Sequence, residues 1–350
     1  MSTKSKYIQT HYIIGIGRSG TTLLSKLLNQ HQNCLVTLET DFVTFFLQSF
    51  KEKKQYSEAD FKLVTDYFDV FFKLNPSGRN YFDNENLYQD LLSANIKSYQ
   101  DLIQFVYLRF NYLKKPIEDI HIIVDKKPSY SLHIKDILAI NPEAKFIYLV
   151  RDYRANILSR KQSVERRSPN IIFNAYRWLF FNRKINAFQK QYPYKIKEIK
   201  YEDLILETTK TMNQIFEFLN LSEKDTNTHY YENQVIKSQV IQTKNKDLEQ
   251  RLEKTQNDIE KPIFTSRIDA WREELNKHEI KQAEVICGDY GTKFGYICSL
   301  HINSIKKLFL KTIHISDYLK ALYDYKKEFV LIKIKANKKL QRIKSKYKIS

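Results

Sequence analysis

Apolar residues along positions 11–219 fall into short blocks of two alternating kinds. One kind is a compact run, seen at Tyr12–Ile16, Cys34–Leu38, His121–Val124 and Lys145–Val150, with the more polar Tyr194–Tyr201 as the last core strand. Runs this short, bounded by turn-forming or polar residues and mostly rich in Ile and Val, predict buried strands. Between them, apolar positions recur at helical spacing over about Thr21–Gln30, Ser131–Ile140, Ala155–Val164, Ile171–Tyr192 and Leu204–Leu219. Strand and helix therefore alternate, which predicts an α/β fold: a doubly wound parallel sheet of about five strands.

One connection is far longer than the rest. Residues 42–115 carry apolar clusters at Phe42–Phe50, Phe61–Leu74, Leu87–Ile96 and Leu102–Leu113, broken by the turn Asn75-Pro-Ser-Gly-Arg79. This predicts a helical insertion over 42–120, on the expected acceptor side. Residues 222–262 turn polar and are expected to form a lid or surface segment. Regular pattern returns at Phe264–Arg272 and in a helix over Lys277–Cys287, with Gly288, Gly291 and Gly295 punctuating its end. A catalytic domain is expected over 1–297, followed by a basic C-terminal extension over 298–350.

Composition changes the picture in one place. The 350 residues are 42% hydrophobic and 28% charged, as in globular proteins, and carry a net charge of +18. Residues 301–350 hold 14 Lys or Arg against 3 Asp or Glu, so +11 sits in the tail. Leu308, Phe309, Ile313, Ile315, Leu319, Leu322 and Tyr323 give it an imperfect amphipathic pattern. Such a helix can lie on an anionic bilayer, and a solvated basic tail is the competing reading. Cys34, Cys287 and Cys298 have neither metal-site nor disulfide-framework spacing, which fits a reducing compartment. The first dozen residues run into a strand without room for a signal peptide, and no run approaches a membrane span. The expected place is the cytoplasm, with contact to a membrane surface through the tail.

Three of the seven glycines, Gly15, Gly17 and Gly20, fall between a strand and a helix in Tyr12–Leu24. Strand, glycine turn and helix start form a P-loop-like nucleotide site, which aims backbone N–H groups and a helix dipole at a phosphate. The spacing Gly15-x4-Gly20 fits the first half of a triphosphate-binding loop, but Thr21 stands where its Lys belongs. Arg18 and Thr21-Thr22 supply polar groups instead, pointing to a different anion. Further polar groups stand at other strand ends: Glu39, Lys126 with Lys127, and Arg151–Ser159.

These stretches resemble the sulfotransferase family that uses 3′-phosphoadenosine 5′-phosphosulfate. Gly17-Arg-Ser-Gly-Thr-Thr-Leu23 is similar to its 5′-phosphosulfate loop, and Leu149-Val-Arg-Asp-Tyr-Arg-Ala-Asn-Ile-Leu-Ser159 to its 3′-phosphate motif. Ile199–Ile205 with Ile215–Leu221 resembles its strand–helix block, and Ser266–Trp271 with Gly295-Tyr296 its cofactor-covering segment. The spacing from Arg18 to Glu39, and Asp125-Lys-Lys-Pro128, look most like the tyrosylprotein and bacterial branches. The resemblance implies that Arg18, Ser19, Gly20, Thr21 and Thr22 hold the phosphosulfate, and that Arg151 and Ser159 bind the 3′-phosphate. It implies that Lys126 contacts the leaving-group oxygen and that Glu39 is the general base. Arg18 would also stabilise the leaving charge, and Tyr201, Ser266 and Arg267 are weaker carry-overs to the nucleotide. The donor is then a co-substrate, no metal is expected, and the acceptor is a hydroxyl of a glycan, lipid, metabolite or tyrosine.

Each residue has a plainer reading beside it. Glu39 could cap the helix that begins near Phe42, Lys127 could take the place of Lys126, and Arg151-Asp152 could be a local ion pair. Tyr153 departs from the usual Pro or Gly, Ser163 from an Arg, and His31-Gln32 from His-Pro. Two rivals stay open at this point. A P-loop kinase would use Asp125 for Mg²⁺, and a basic membrane- or nucleic-acid-binding protein would carry a degenerate nucleotide site. Nucleic acid is not an expected partner of the enzyme.

Overall fold

The structure, a computed structural model, describes residues 8–83, 85–163, 170–222, 265–299, 312–347 and 349. The polar segment expected over 222–262 lies outside them apart from Ser222, as do Phe264 and the tail positions Leu308 and Phe309. In chain order the strands are β1 (Gln9–Gly15), β2 (Cys34–Val36), β3 (Ile122–Lys126), β4 (Phe146–Val150) and β5 (Ile196–Lys200). Helices α1 (Thr21–Leu28), α2 (Phe42–Phe50), α3 (Glu58–Leu74), α4 (Leu87–Ser93) and α5 (Tyr99–Tyr107) precede β3. Then come α6 (Ile134–Ile140), α7 (Tyr153–Gln162), α8 (Ile171–Gln191), α9 (Tyr201–Leu206) and α10 (Thr208–Leu219). The later helices are α11 (Ser266–Asp269), α12 (Trp271–Glu274), α13 (Lys277–Gly291), α14 (Ile315–Ile332) and α15 (Ala336–Tyr347).

The five strands form one parallel sheet in the order β2-β3-β1-β4-β5. The chain leaves β1 for β2 and β3 on one side, then crosses to β4 and β5 on the other. The glycine loop thus leaves the sheet at the strand where the winding reverses, the usual place for a ligand in such sheets.

Strand side chains alternate between two separate cores. Tyr12, Ile14, Ile123, Phe146, Tyr148 and Val150 face one, and Ile13, Ile122, Val124, Ile147 and Leu149 face the other. Both faces are covered, which is why β4 reads as an unbroken apolar run, while β5 at the sheet edge alternates with Lys and Glu. The second core is closed by Leu24, Leu27 and Leu28 of α1 and by Met212, Ile215, Phe216 and Leu219 of α10. The first takes α2–α8 and α13, with aromatic contacts such as Phe68–Phe82 at 4.3 Å and Phe46–Phe50 at 5.0 Å. Burying such a ring contributes roughly 1.5–3 kcal/mol relative to leaving it in water.

Four boundaries differ from expectation. β3 runs on through Asp125 and Lys126, because Tyr12 and Ile13 of β1 stay paired with them. The stretch after Lys127 makes a 3₁₀ turn over Pro128–Leu132 before α6, so the expected helix start at Ser131 is occupied by a turn. The helix expected over Leu204–Leu219 is two helices with a break at Glu207. Gly288 does not end α13. It lies inside the helix, where a Cβ would come within 2.6 Å of the Cys298 sulfur, and the left-handed stop comes at Gly295 (φ 79°).

The tail also differs from a solvated arm. Ala321, Ala336 and Leu340 are buried in the first core, α14 packs on α8 and α2, and α15 on α2 and α3. Among the described residues, no helix is long and apolar enough to cross a membrane.

Candidate active site

Gly15 closes β1 with φ 149°, and a Cβ there would lie 2.6 Å from the Leu149 carbonyl oxygen. The first glycine is therefore demanded by strand packing. Gly20 is the left-handed N-cap of α1 (φ 95°), and a Cβ on it would meet the Tyr201 ring at 2.4 Å. No side chain caps α1, so its first-turn N–H groups and positive dipole end meet whatever enters the loop. Arg18, between the glycines, also takes a left-handed conformation (φ 74°), a costly one for a residue with a side chain.

Helix α7 underpins the loop. Asn156 Nδ2 donates to the Gly17 carbonyl and to Ser19 Oγ, both at 3.2 Å, and Arg160 Nη1 reaches the same carbonyl at 3.4 Å. Ser19 has no exposure, so its hydroxyl serves the loop's own framework, while Arg18 and Thr22 are exposed and Thr21 is buried. Asn156 was not singled out from the sequence. Its signal was its place three residues before Ser159 on the same helix.

The glycine loop and the Arg151–Ser159 stretch meet directly. Arg18 Nε donates to Ser159 Oγ at 3.2 Å. Arg151, 6% exposed, donates to the Arg18 carbonyl at 3.4 Å and to the Arg267 carbonyl at 2.8 Å. Its guanidinium lies 4.2 Å above the Tyr201 ring, and its Nε is buried with no hydrogen-bond partner. Burial lowers the Arg151 pKa against the opposing pull of Tyr201 and Glu202, and the nearby Arg267 and Arg18 lower it further. A buried cation crowded by cations, with an unused N–H, has the chemistry to receive an anion. Asp152 does not pair with Arg151. It pairs with Arg154 at 2.7 Å, which disposes of the local ion-pair reading. Ser266 is exposed at the start of α11, and Arg267 reaches Arg151 through its backbone.

Across β1 stand the second set of groups. Lys126, at the end of β3 and opposite Ile13, donates to Glu39 Oε2, and the Lys127 ammonium lies 3.9 Å from Oε1. The Lys126 side chain is 9% exposed and that of Glu39 42%. Burial pushes the Glu39 pKa up, but the charges of Lys126 and Lys127 and the Lys126 hydrogen bond outweigh it, leaving the carboxyl below its ordinary range. Glu39 does not cap α2. Asp41 is the residue before that helix, and Thr40 Oγ1 accepts the Phe42 N–H at 3.3 Å.

Asp125 is wholly buried, accepting from Thr37 Oγ1 at 3.1 Å and from the Tyr107 hydroxyl. Both of its carboxylate oxygens are thus engaged by hydroxyl groups of the protein. Among the described residues, no group of three or more His, Cys, Asp or Glu side chains is placed to hold a metal ion.

A family model described as "Sulfotransferase family" matches residues 12–225. No curated protein matches the sequence. Among solved structures, the sulfotransferase domain from the curacin biosynthetic pathway is 20% identical, covers 82% of this chain and 99% of its own, and superposes with a TM-score of 0.50, a likeness of fold. The sulfotransferase domain from the Synechococcus PCC 7002 olefin synthase is also 20% identical, covering 81% of this chain and 96% of its own with a TM-score of 0.48.

Proposed function

Since the chain belongs to the sulfotransferase family and is therefore an enzyme of sulfuryl transfer, we propose that it takes the group from 3′-phosphoadenosine 5′-phosphosulfate and passes it to an acceptor hydroxyl. The observation that carries this reading is the meeting of Arg18, Ser159 and Arg151 at the open start of α1. Two anions would be held side by side there, and the triphosphate-type Lys is absent from the loop. When bound, the donor supplies a sulfuryl group on a phosphate leaving group, so that an S–O bond to the acceptor replaces the S–O bond to phosphate.

The chain's own groups then have separate tasks. The N–H groups of Gly20, Thr21 and Thr22 and the Arg18 side chain would hold the 5′ end. Arg151 and Ser159 would hold the 3′-phosphate, a guanidinium fork and a hydroxyl suiting a dianion. Tyr201 props Arg151 from below and fills the space against Gly20, and Ser266 and Arg267 would close over the nucleotide. Lys126 would stabilise charge on the leaving oxygen, and Lys127 lies farther from Glu39 and more exposed. Glu39 would accept the hydroxyl proton. Its two lysine neighbours keep it ionised, and nearly half of its side chain is open to an arriving acceptor. The helices of 42–115 begin two residues after Thr40, close in sequence to Glu39, so this insertion would shape the acceptor side.

Labelled donor incubated with the full chain and a native cell extract tests the reading. The wild type should transfer label to an acceptor. Glu39→Gln should cut turnover about 10²–10⁴-fold while binding adenosine 3′,5′-bisphosphate within about twofold of wild type. Arg151→Ala should weaken that binding tenfold or more by calorimetry, a loss of about 1.4 kcal/mol or greater. Full turnover in Glu39→Gln removes the base assignment, and unchanged affinity in Arg151→Ala removes the 3′-phosphate site.

A further inference from the structure

Helix α14 has one face that the fold uses and one that it leaves out. Inward, Tyr318 packs on Tyr176 at 5.2 Å and on Phe180 at 5.5 Å, Ala321 has no exposure, and Asp324 pairs with Arg177. Outward, Ile315, Leu319 and Tyr323 stand four residues apart on one line, 54%, 54% and 71% exposed, and Ile313 just before the helix is 57% exposed. Four large apolar side chains in a row, none covered, are more than the scattered exposed residues of an ordinary surface.

The charges around this stripe are of one sign. Lys320, Lys326 and Lys327 are exposed beside it, and Lys333 and Lys335 continue the basic surface past the helix end. The described acidic side chains of the segment turn the other way. Asp317 accepts from Asn170 at 3.1 Å, and Asp324 is bound by Arg177. An apolar line edged by lysines, on a helix too polar to span a bilayer, is the pattern of a helix that lies in the surface of an anionic membrane. A nucleic-acid surface would use the lysines but has no use for Ile315 and Leu319. A second copy of this chain would have to set these lysines against one another.

We propose that the outward face of α14, centred on Ile315, Leu319 and Tyr323 and flanked by Lys320, Lys326 and Lys327, docks the enzyme onto an anionic lipid surface. The apolar side chains enter the headgroup boundary, and the lysines meet the lipid charge. Because the inward face is bound to α8 and α2, the docking helix is rigidly joined to the sheet, and the catalytic unit is held at a fixed attitude to the membrane.

The test uses the full chain and two kinds of vesicle, phosphatidylcholine alone and phosphatidylcholine with about a third phosphatidylserine. Co-sedimentation should favour the anionic vesicles tenfold or more and fall as salt is raised. The variants Ile315→Ser/Leu319→Ser/Tyr323→Ser and Lys320→Gln/Lys326→Gln/Lys327→Gln should each lose tenfold or more, with unchanged thermal midpoints, since all six side chains face solvent. Tyr323→Trp gives a reading that needs no loss of binding. The native Trp178 and Trp271 are buried, so a blue shift on adding anionic vesicles reports the new side chain entering the lipid. No preference for anionic vesicles, unchanged binding by the serine variant, or no shift in Tyr323→Trp overturns the proposal. So does RNA binding through the same lysines with vesicles ignored, or dimerisation abolished by the serine variant with vesicles ignored.

Discussion

Asp125 stands one residue before Lys126, with no exposure and with hydrogen bonds from Thr37 and Tyr107. Burial lifts its pKa from an ordinary 3.8 to about 6, against the lowering effect of those hydrogen bonds and of the Lys127 charge. The folded chain therefore holds this proton more tightly than the unfolded chain does. The stability it contributes is fully present below pH 4 and is lost as pH rises through about 6. Asp125→Asn, which keeps an acceptor for Tyr107 and never ionises, should gain on the wild type by on the order of 3 kcal/mol between about pH 4 and pH 7. Denaturant unfolding at several pH values checks this, and a pH-independent difference between the two proteins would refute it. The example shows where legibility in the sequence stopped at the residue scale. The neighbours Arg18 and Ser159 could be singled out because each lies in a short stretch dense in polar groups, Arg18–Thr22 and Arg151–Ser159. The partners of Asp125 could not, because Thr37 comes from the loop just after β2 and Tyr107 from the insertion. For the same reason the pairing of Glu39 with Lys126, which stands on a strand 87 positions further along the chain, could not be read.

At the scale of elements, both the strands and the sheet order's consequence were legible, since runs such as Phe146–Val150 are apolar on both faces and leave no other home. What periodicity missed were the places where a distant group overrides it, as Gly288 shows by making room for Cys298 inside α13. Arg154 is the strongest such case. It pairs with Asp152 at 2.7 Å and Glu284 at 3.0 Å, donates to the Ile297 carbonyl at 3.0 Å, and lies 3.9 Å over the Trp271 ring. One guanidinium thus binds α7, which carries the Ser159 motif, to α12 and α13. Glu284 is 1% exposed and also accepts from Ser299, so it is fully committed to this knot. Arg154→Met should leave two carboxylates without their cation and cost about 3–5 kcal/mol. Arg154→Lys should restore less than half, because an ammonium cannot serve two carboxylates, a carbonyl and a ring at once. Chemical denaturation midpoints decide it: a loss under about 1 kcal/mol in Arg154→Met would mean the knot is incidental.

Taken as a whole molecule, the chain does not divide where its charge does. The sequence marks residues 301–350 as different through their +11, and deleting them looks like a clean way to separate an enzyme from a basic binding protein. Packing argues otherwise. Tyr318 and Tyr325 lie against Phe180, and Asp324 neutralises Arg177, which is 9% exposed. Ala336 N–H donates to Ser49 Oγ at 2.9 Å, and the Lys339 ammonium reaches the Phe45 carbonyl at 2.7 Å, both on α2. Helix α2 begins directly after Glu39-Thr40-Asp41, so α15 steadies the helix that follows the proposed base. Charge could not show this, because the residues that pack, Ala321, Ala336 and Leu340, are scattered among the lysines that do not. Removing residues 312–350 should therefore uncover apolar surface on α2 and α8 and unpair Arg177 from Asp324. A combined loss of about 5 kcal/mol corresponds, for a chain of this length, to a fall of roughly 7 °C in the melting midpoint. Turnover should drop with it, although the deleted residues touch none of the proposed nucleotide contacts. A truncated chain that melted within about 2 °C of the full one would show that α14 and α15 merely rest on the surface. The expected result instead makes the tail part of the fold on its inward face, leaving only its outward face free to serve a partner.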